Sequence, residues 1–109
     1  MVEKNILGNG FSVPLEDIQK RFPDYADFYL ITQDKFKSHQ GEMTHKLHAA
    51  VSICTALINE IKVPLYGEKF EDELTNYLDY LKESFGQQVI NSLVIEFNFK
   101  LPRTHSVRK

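Results

Sequence analysis

Four histidines and one cysteine are the side chains of this sequence with metal-binding or nucleophilic chemistry to offer, and two of the histidines fall in Glu42-x-x-His45-x-x-His48, with His39 just upstream. A glutamate and a histidine three residues apart share one side of a helix, which is how helical bundles supply half of a carboxylate-bridged metal site. The other half is a matching motif on a second helix, and the chain has no further Glu-x-x-His and no His-x-x-x-His. At about 100° per residue, His45 and His48 also point away from the apolar stripe of Met43, Leu47 and Cys54. No metal site is expected, and the histidines are assigned to a surface or an interface. On an uncharged interface they would form a pH-sensitive contact, because imidazole is the side chain that titrates in the physiological range.

Cys54 lies inside the same apolar stripe with no base beside it in sequence, which reads as packing and not as an activated thiolate. There is no nucleophile elbow and no phosphate-binding loop: the clustered glycines, Gly8 and Gly10, are followed by Phe11 and not by a helix start that could cradle an anion. Carboxylates crowd residues 68–83, but Glu68, Glu71, Asp72 and Glu73 sit where a helix begins and favour its positive end, while Asp79 and Glu83 continue a solvated face. Neither catalysis nor a cofactor is expected.

The bulk properties narrow the class further. The chain has 109 residues, 13 basic and 15 acidic side chains and a net charge of −2, which suits one domain with a core of its own and argues against a polyanion binder working through bulk charge. Its single cysteine excludes an intrachain disulfide, so a reducing, cytoplasmic setting is the simplest reading. No run approaches the length of a membrane span, and the first ten residues do not have the build of a signal peptide. Basic residues gather only at the end, in Lys100, Arg103, Arg108 and Lys109.

The elements that position these residues are read from periodicity. Residues 1–12 form an arm, either irregular or a short hairpin turning at Gly8-Asn9-Gly10. Leu15, Ile18 and Phe22 mark a short helix over 13–22, which Pro23 interrupts. Tyr25, Phe28, Tyr29, Thr32 and Phe36 continue at helical spacing, with a strand over 28–32 as the less favoured alternative. The strongest signature runs from Glu42 to Lys62, where Met43, Leu47, Ala50, Val51, Cys54, Leu57, Ile58 and Ile61 make one stripe. No charge occurs between Lys46 and Glu60, and the opposite side holds His48, Ser52, Thr55 and Asn59 with Ala49 and Ala56. A helix of this kind is central and covered on both faces, or its second face meets another chain.

Phe70, Leu74, Tyr77, Leu78, Leu81 and Phe85 mark a further helix over 68–85, closed by Gly86. Leu93, Ile95, Phe97, Phe99 and Leu101 then alternate with Val94, Glu96, Asn98 and Lys100, which favours a strand from about 93 to 101 that ends at Pro102, while Val89, Ile90, Leu93, Val94 and Phe97 also fit a helix, so the choice between strand and helix stays open. The expected fold is mainly α: a small single-domain bundle of three to four helices over 1–102, with scope for a short β element pairing the C-terminal strand with the N-terminal arm, and a flexible basic tail over 103–109.

The functional expectation is a small regulatory or adaptor protein, inhibitor or subunit-like, that binds a protein partner or a second copy of itself. Its candidate contact residues are His45, His48, Ser52, Thr55 and Asn59 on the uncharged face, with Phe97 and Phe99 on the strand edge. The aromatic residues Phe22, Tyr25, Phe28, Tyr29 and Phe36 are counted among the surfaces that want a neighbour. The alternative is a nucleic-acid-associated dimer that contacts phosphates through Lys100, Arg103, Arg108 and Lys109.

Overall fold

The computed structural model describes residues 13–39 and 44–102. Five α-helices follow one another: α1 (Leu15–Arg21), α2 (Ala26–Lys37), α3 (His45–Lys62), α4 (Phe70–Phe85) and α5 (Gln87–Glu96), with single 3-10 turns at Pro23–Tyr25 and Gly67–Lys69. The mainly helical class expected from periodicity is what is observed, with one helix more than the upper count. Among the described residues there is no strand. The arm over 1–12, the residue Glu42 and the tail over 103–109 lie outside the described residues.

Local chemistry explains most of the boundaries. Glu16 and Asp17 occupy the first turn of α1 and Lys20 and Arg21 its last, each sign at the end of the helix dipole that favours it. Pro23 ends α1 and opens the 3-10 turn that leads into α2. Thr44 caps α3, its side-chain oxygen accepting a hydrogen bond from the Leu47 N–H at 3.2 Å. Between α4 and α5 stands a single residue, Gly86, at φ +92°, a conformation in which other residues are strained. That one glycine lets two helices follow each other without a loop.

The central position expected of α3 is observed: it packs against α1, α2, α4 and α5. Its buried surface takes in Ala49, Ile53 and Glu60 as well as Leu47, Ala50, Val51, Cys54, Leu57 and Ile58, more than one stripe could account for. Ile18, Phe28, Tyr29, Ile53, Leu57, Leu78, Leu81, Ile90, Leu93 and Phe97 supply the most deeply buried bulk. Burying a side chain of this size stabilises by about 1.5–3 kcal/mol each before the ordering entropy is set against it. Tyr29 also ties α2 to the residues just ahead of α1, its hydroxyl donating to the Val13 carbonyl at 2.9 Å.

The C-terminal segment departs from expectation. Residues 93–96 are the last turn of α5, not a strand, and the helix ends in a turn at Phe97, whose φ is −110° and ψ 1°. Asn98 adopts φ +57°, and the Phe99 N–H reaches back to the Leu93 carbonyl at 2.9 Å, closing the helix end. Beyond it, Phe97 and Phe99 point inward while Asn98 and Lys100 point out. The inward and outward alternation is confined to Phe97–Lys100, on either side of the turn at Asn98. Upstream of it Leu93 is buried on the inner face of α5 and Ile95 is 78% exposed, so the period of two across 93–101 does not describe the fold.

This placement also revises the reading of the aromatic residues. Phe99 stacks on Tyr25 with ring centres 5.3 Å apart and lies 4.8 Å from Phe28, and Phe97 lies 6.2 Å from Phe28. Phe22 packs 4.9 Å from Phe70 at the start of α4. The residues expected to want an outside neighbour find one within the chain. Phe97 and Phe99, at 1% and 2% exposure, form core and present no strand edge to a partner.

Candidate functional site

Where α4 leans on α5, it leaves a trough along α3. Ser52, Ile53 and Ala56 of α3 form one side, and Phe70, Glu73, Leu74, Asn76 and Tyr77 of α4 the other, with Tyr66 closing one end. The trough has a volume of about 520 Å³. Its α3 side is low because serine and alanine, four residues apart, project little above the helix backbone. Its α4 side sets Phe70, Leu74 and Tyr77, at the spacing of successive turns, beside the polar Glu73 and Asn76. Tyr77 continues outward to Tyr80, ring centres 6.2 Å apart, and Tyr80 is 59% exposed.

The rim at the Tyr66 end is held by a buried acid. Glu60 is fully buried, and its Oε2 accepts hydrogen bonds from the backbone N–H groups of Leu65 (2.8 Å) and Tyr66. Arg21 donates to the Glu60 carbonyl at 3.1 Å, and its second guanidinium nitrogen lies 3.6 Å from Oε1. One carboxylate thus ties α1, the end of α3 and the following turn together. What that turn displays is apolar: Val63, Leu65 and Tyr66 are 63%, 55% and 40% exposed. A buried ion that orders an exposed apolar rim is an expensive arrangement for a surface that meets only water.

The residues proposed from sequence separate into three groups. Ser52 lines the trough directly, and Thr55, whose hydroxyl donates to the Val51 carbonyl at 3.0 Å, is half-buried on the same helix. His48 and Asn59 are exposed on α3. His45 lies apart from the trough, packed 4.2 Å from the Phe85 ring in a shallower hollow of about 310 Å³ with Thr44, Lys46, Gln88, Val89 and Ser92. His45 is therefore separate from Ser52, whereas His48, four residues before Ser52 on α3, shares its side of the helix without lining the trough. Lys100 is exposed, while Arg103, Arg108 and Lys109 fall outside the described residues.

Sequence reasoning missed Tyr66, Phe70, Glu73 and Tyr77 as site residues, because their grouping arises only when α4 settles beside α3. It missed Glu60 too, although a signal was present. Glu60 falls in phase with Ile53 and Leu57, an acid on an otherwise apolar line, just before a proline-containing turn whose amide groups need an acceptor.

Burial and pairing shift several titratable groups elsewhere in the chain. Cys54 is completely buried, and burial pushes its thiol far up, with the Thr32 hydroxyl beside it pulling weakly the other way. Tyr25 and Tyr29 are both pushed up to about 12, mainly by burial, with Glu71 and Asp24 adding to the effect at Tyr25. Glu96 is held below its usual range chiefly by the hydrogen bond from Lys46, 2.8 Å away, which joins the first turn of α3 to the last of α5. Among the described residues no three histidine, cysteine or carboxylate side chains group as metal ligands would, and no helix is long and apolar enough to cross a membrane. Comparison with known protein families, curated proteins and solved structures finds no match for this chain.

Proposed function

We propose that this chain is a small regulatory or adaptor protein that acts by binding another protein, with the trough between α3 and α4 as its docking surface. The observation that carries the reading is the trough itself: an apolar, aromatic-walled space of about 520 Å³ whose exposed rim is fixed by the buried Glu60. Exposed apolar surface that is also rigid favours association, because little ordering entropy remains to be lost when a partner arrives. Ser52 and Ala56 place this surface on the uncharged side of α3, where a neighbour was expected.

Ala56→Trp tests this reading by filling the trough from its low side. Tagged wild-type and variant proteins are purified from the native cell under identical conditions, and both are melted by circular dichroism. The expected outcome is a protein that accompanies the wild type and is lost with the variant, while the two melt alike. Recovery of the same companions by both proteins, or of none by either, rejects the trough as the docking surface.

A further inference from the structure

We infer that the segment seated in this trough is an amphipathic helix that carries a lysine or arginine beside its apolar anchors. The inference rests on the docking reading above and adds the chemistry of the occupant.

The two sides of the trough specify its shape. Ser52 and Ala56 on α3, and Phe70, Leu74 and Tyr77 on α4, repeat at intervals of one helical turn, about 5–6 Å along each axis. An occupant whose side chains recur at the same interval meets every depression, and the i, i+3, i+4, i+7 ridge of a helix does so. Small residues on α3 let its backbone come close. An extended peptide gains most of its affinity from a sheet edge, and the described residues contain no strand to provide one.

The charge of the occupant follows from the walls. Glu73 is the one charged side chain that lines the trough, and it is exposed, with no ion pair to a described residue. Glu68, Glu71 and Asp72 are close in sequence but do not line the trough, and Glu71 faces Tyr25 instead, so the charge met by an occupant is that of Glu73. A cation in the occupant is attracted by Glu73 and an anion repelled, and because the site is only partly covered the effect falls with salt. Ser52, Asn76 and the tyrosine hydroxyls border the apolar floor as a polar rim.

The test uses a displayed library of random 16-residue peptides, selected on the full-length protein and counter-selected on Ala56→Trp. Expected are peptides with apolar residues at i, i+3 or i+4, and i+7 plus a flanking lysine or arginine, which gain helical circular dichroism on binding. Glu73→Lys, checked for unchanged melting, should weaken them at least fivefold at low salt, and replacing the peptide's basic residue with glutamate should recover binding to that variant. Trough-dependent peptides that are proline-rich or acidic, or whose affinity Glu73→Lys leaves unchanged, overturn the inference. So does failure to select any peptide sensitive to Ala56→Trp. The docking reading itself is judged by the cellular companions, so the two can fail separately.

Discussion

Two aromatic clusters, built from similar side chains, meet opposite fates in this molecule. At one corner Tyr25 and Phe28 of the 3-10 turn and α2 are covered by Phe97 and Phe99, which stand on either side of the turn that ends α5. Along α3 and α4, Tyr66, Phe70 and Tyr77 border a trough that no described residue fills. Phe22 links them, packed against Phe70 while lying 6.3 Å from Tyr25. Aromatic content is thus no guide to an interface by itself. What differs is whether the chain brings its own filler, and that is decided by the turn at Asn98, which aims Phe99 back over α2 instead of away from it.

The contrast can be broken by substitution on either side. Phe99→Ala removes the filler of the closed corner and should cost about 3–5 kcal/mol in urea unfolding, as expected for an aromatic deleted from a core. A loss below about 1 kcal/mol would mean the corner is open in solution. Glu60→Ala tests the rim of the open side: it leaves two amide groups without their acceptor and frees Arg21, with an expected cost of about 2–3 kcal/mol, reduced because Arg21 reaches solvent. Hydrogen exchange at Leu65 and Tyr66 should accelerate in that variant while α2 stays protected.

Tyr29→Phe deletes one buried hydrogen bond of the closed half and should cost about 1 kcal/mol near neutral pH. Alkali adds to this test. Both buried phenols, Tyr25 and Tyr29, are raised to about 12, so the folded state favours their neutral forms. Their contribution is therefore intact below the ordinary tyrosine value of about 10 and is lost as pH rises from there through about 12. Unfolding followed at alkaline pH should show a fall in stability across that window that is shallower in Tyr29→Phe. The smallest effect is expected from Ala56→Trp, within about 0.5 kcal/mol of wild type, because the added ring enters open space. A large loss there would show the trough to be packed interior, and the contrast would collapse.

The sequence disclosed the helices well because their apolar residues recur with the period of the helix, and α3 could be placed at the centre because its other face carries no charge. The helix break at Pro23 and the close at Gly86 follow from backbone restrictions that act on any fold. The strand expected at the C-terminus does not form for a physical reason: Leu93 belongs to the inner face of α5, Ile95 is exposed, and Phe97 and Phe99 are both turned inward by the helix-ending turn at Asn98, so that a helix end followed by a turn imitates the alternation of a strand. Phe97 and Phe99 read as an edge on that account. Of the trough, only the α3 side was legible, through Ser52. The other wall depends on how α4 rotates against α5, a tertiary outcome that its own periodicity, satisfied by Leu74, Leu78 and Leu81, leaves open.

The closing of the aromatic corner has a consequence for how the chain reaches its fold. The hydrogen bond from Asn98 to Asp27 joins residues 71 positions apart, while α4 and α5 meet across a single glycine. Helical hairpins form on local contacts in microseconds to milliseconds, but a contact of that span waits on the closure of nearly the whole intervening chain. Until it forms, Tyr25 and Phe28 stand bare beside the 3-10 turn, as sticky as any surface the finished protein displays. A corner that is core in the folded molecule is thus open to other chains for as long as its covering segment is absent.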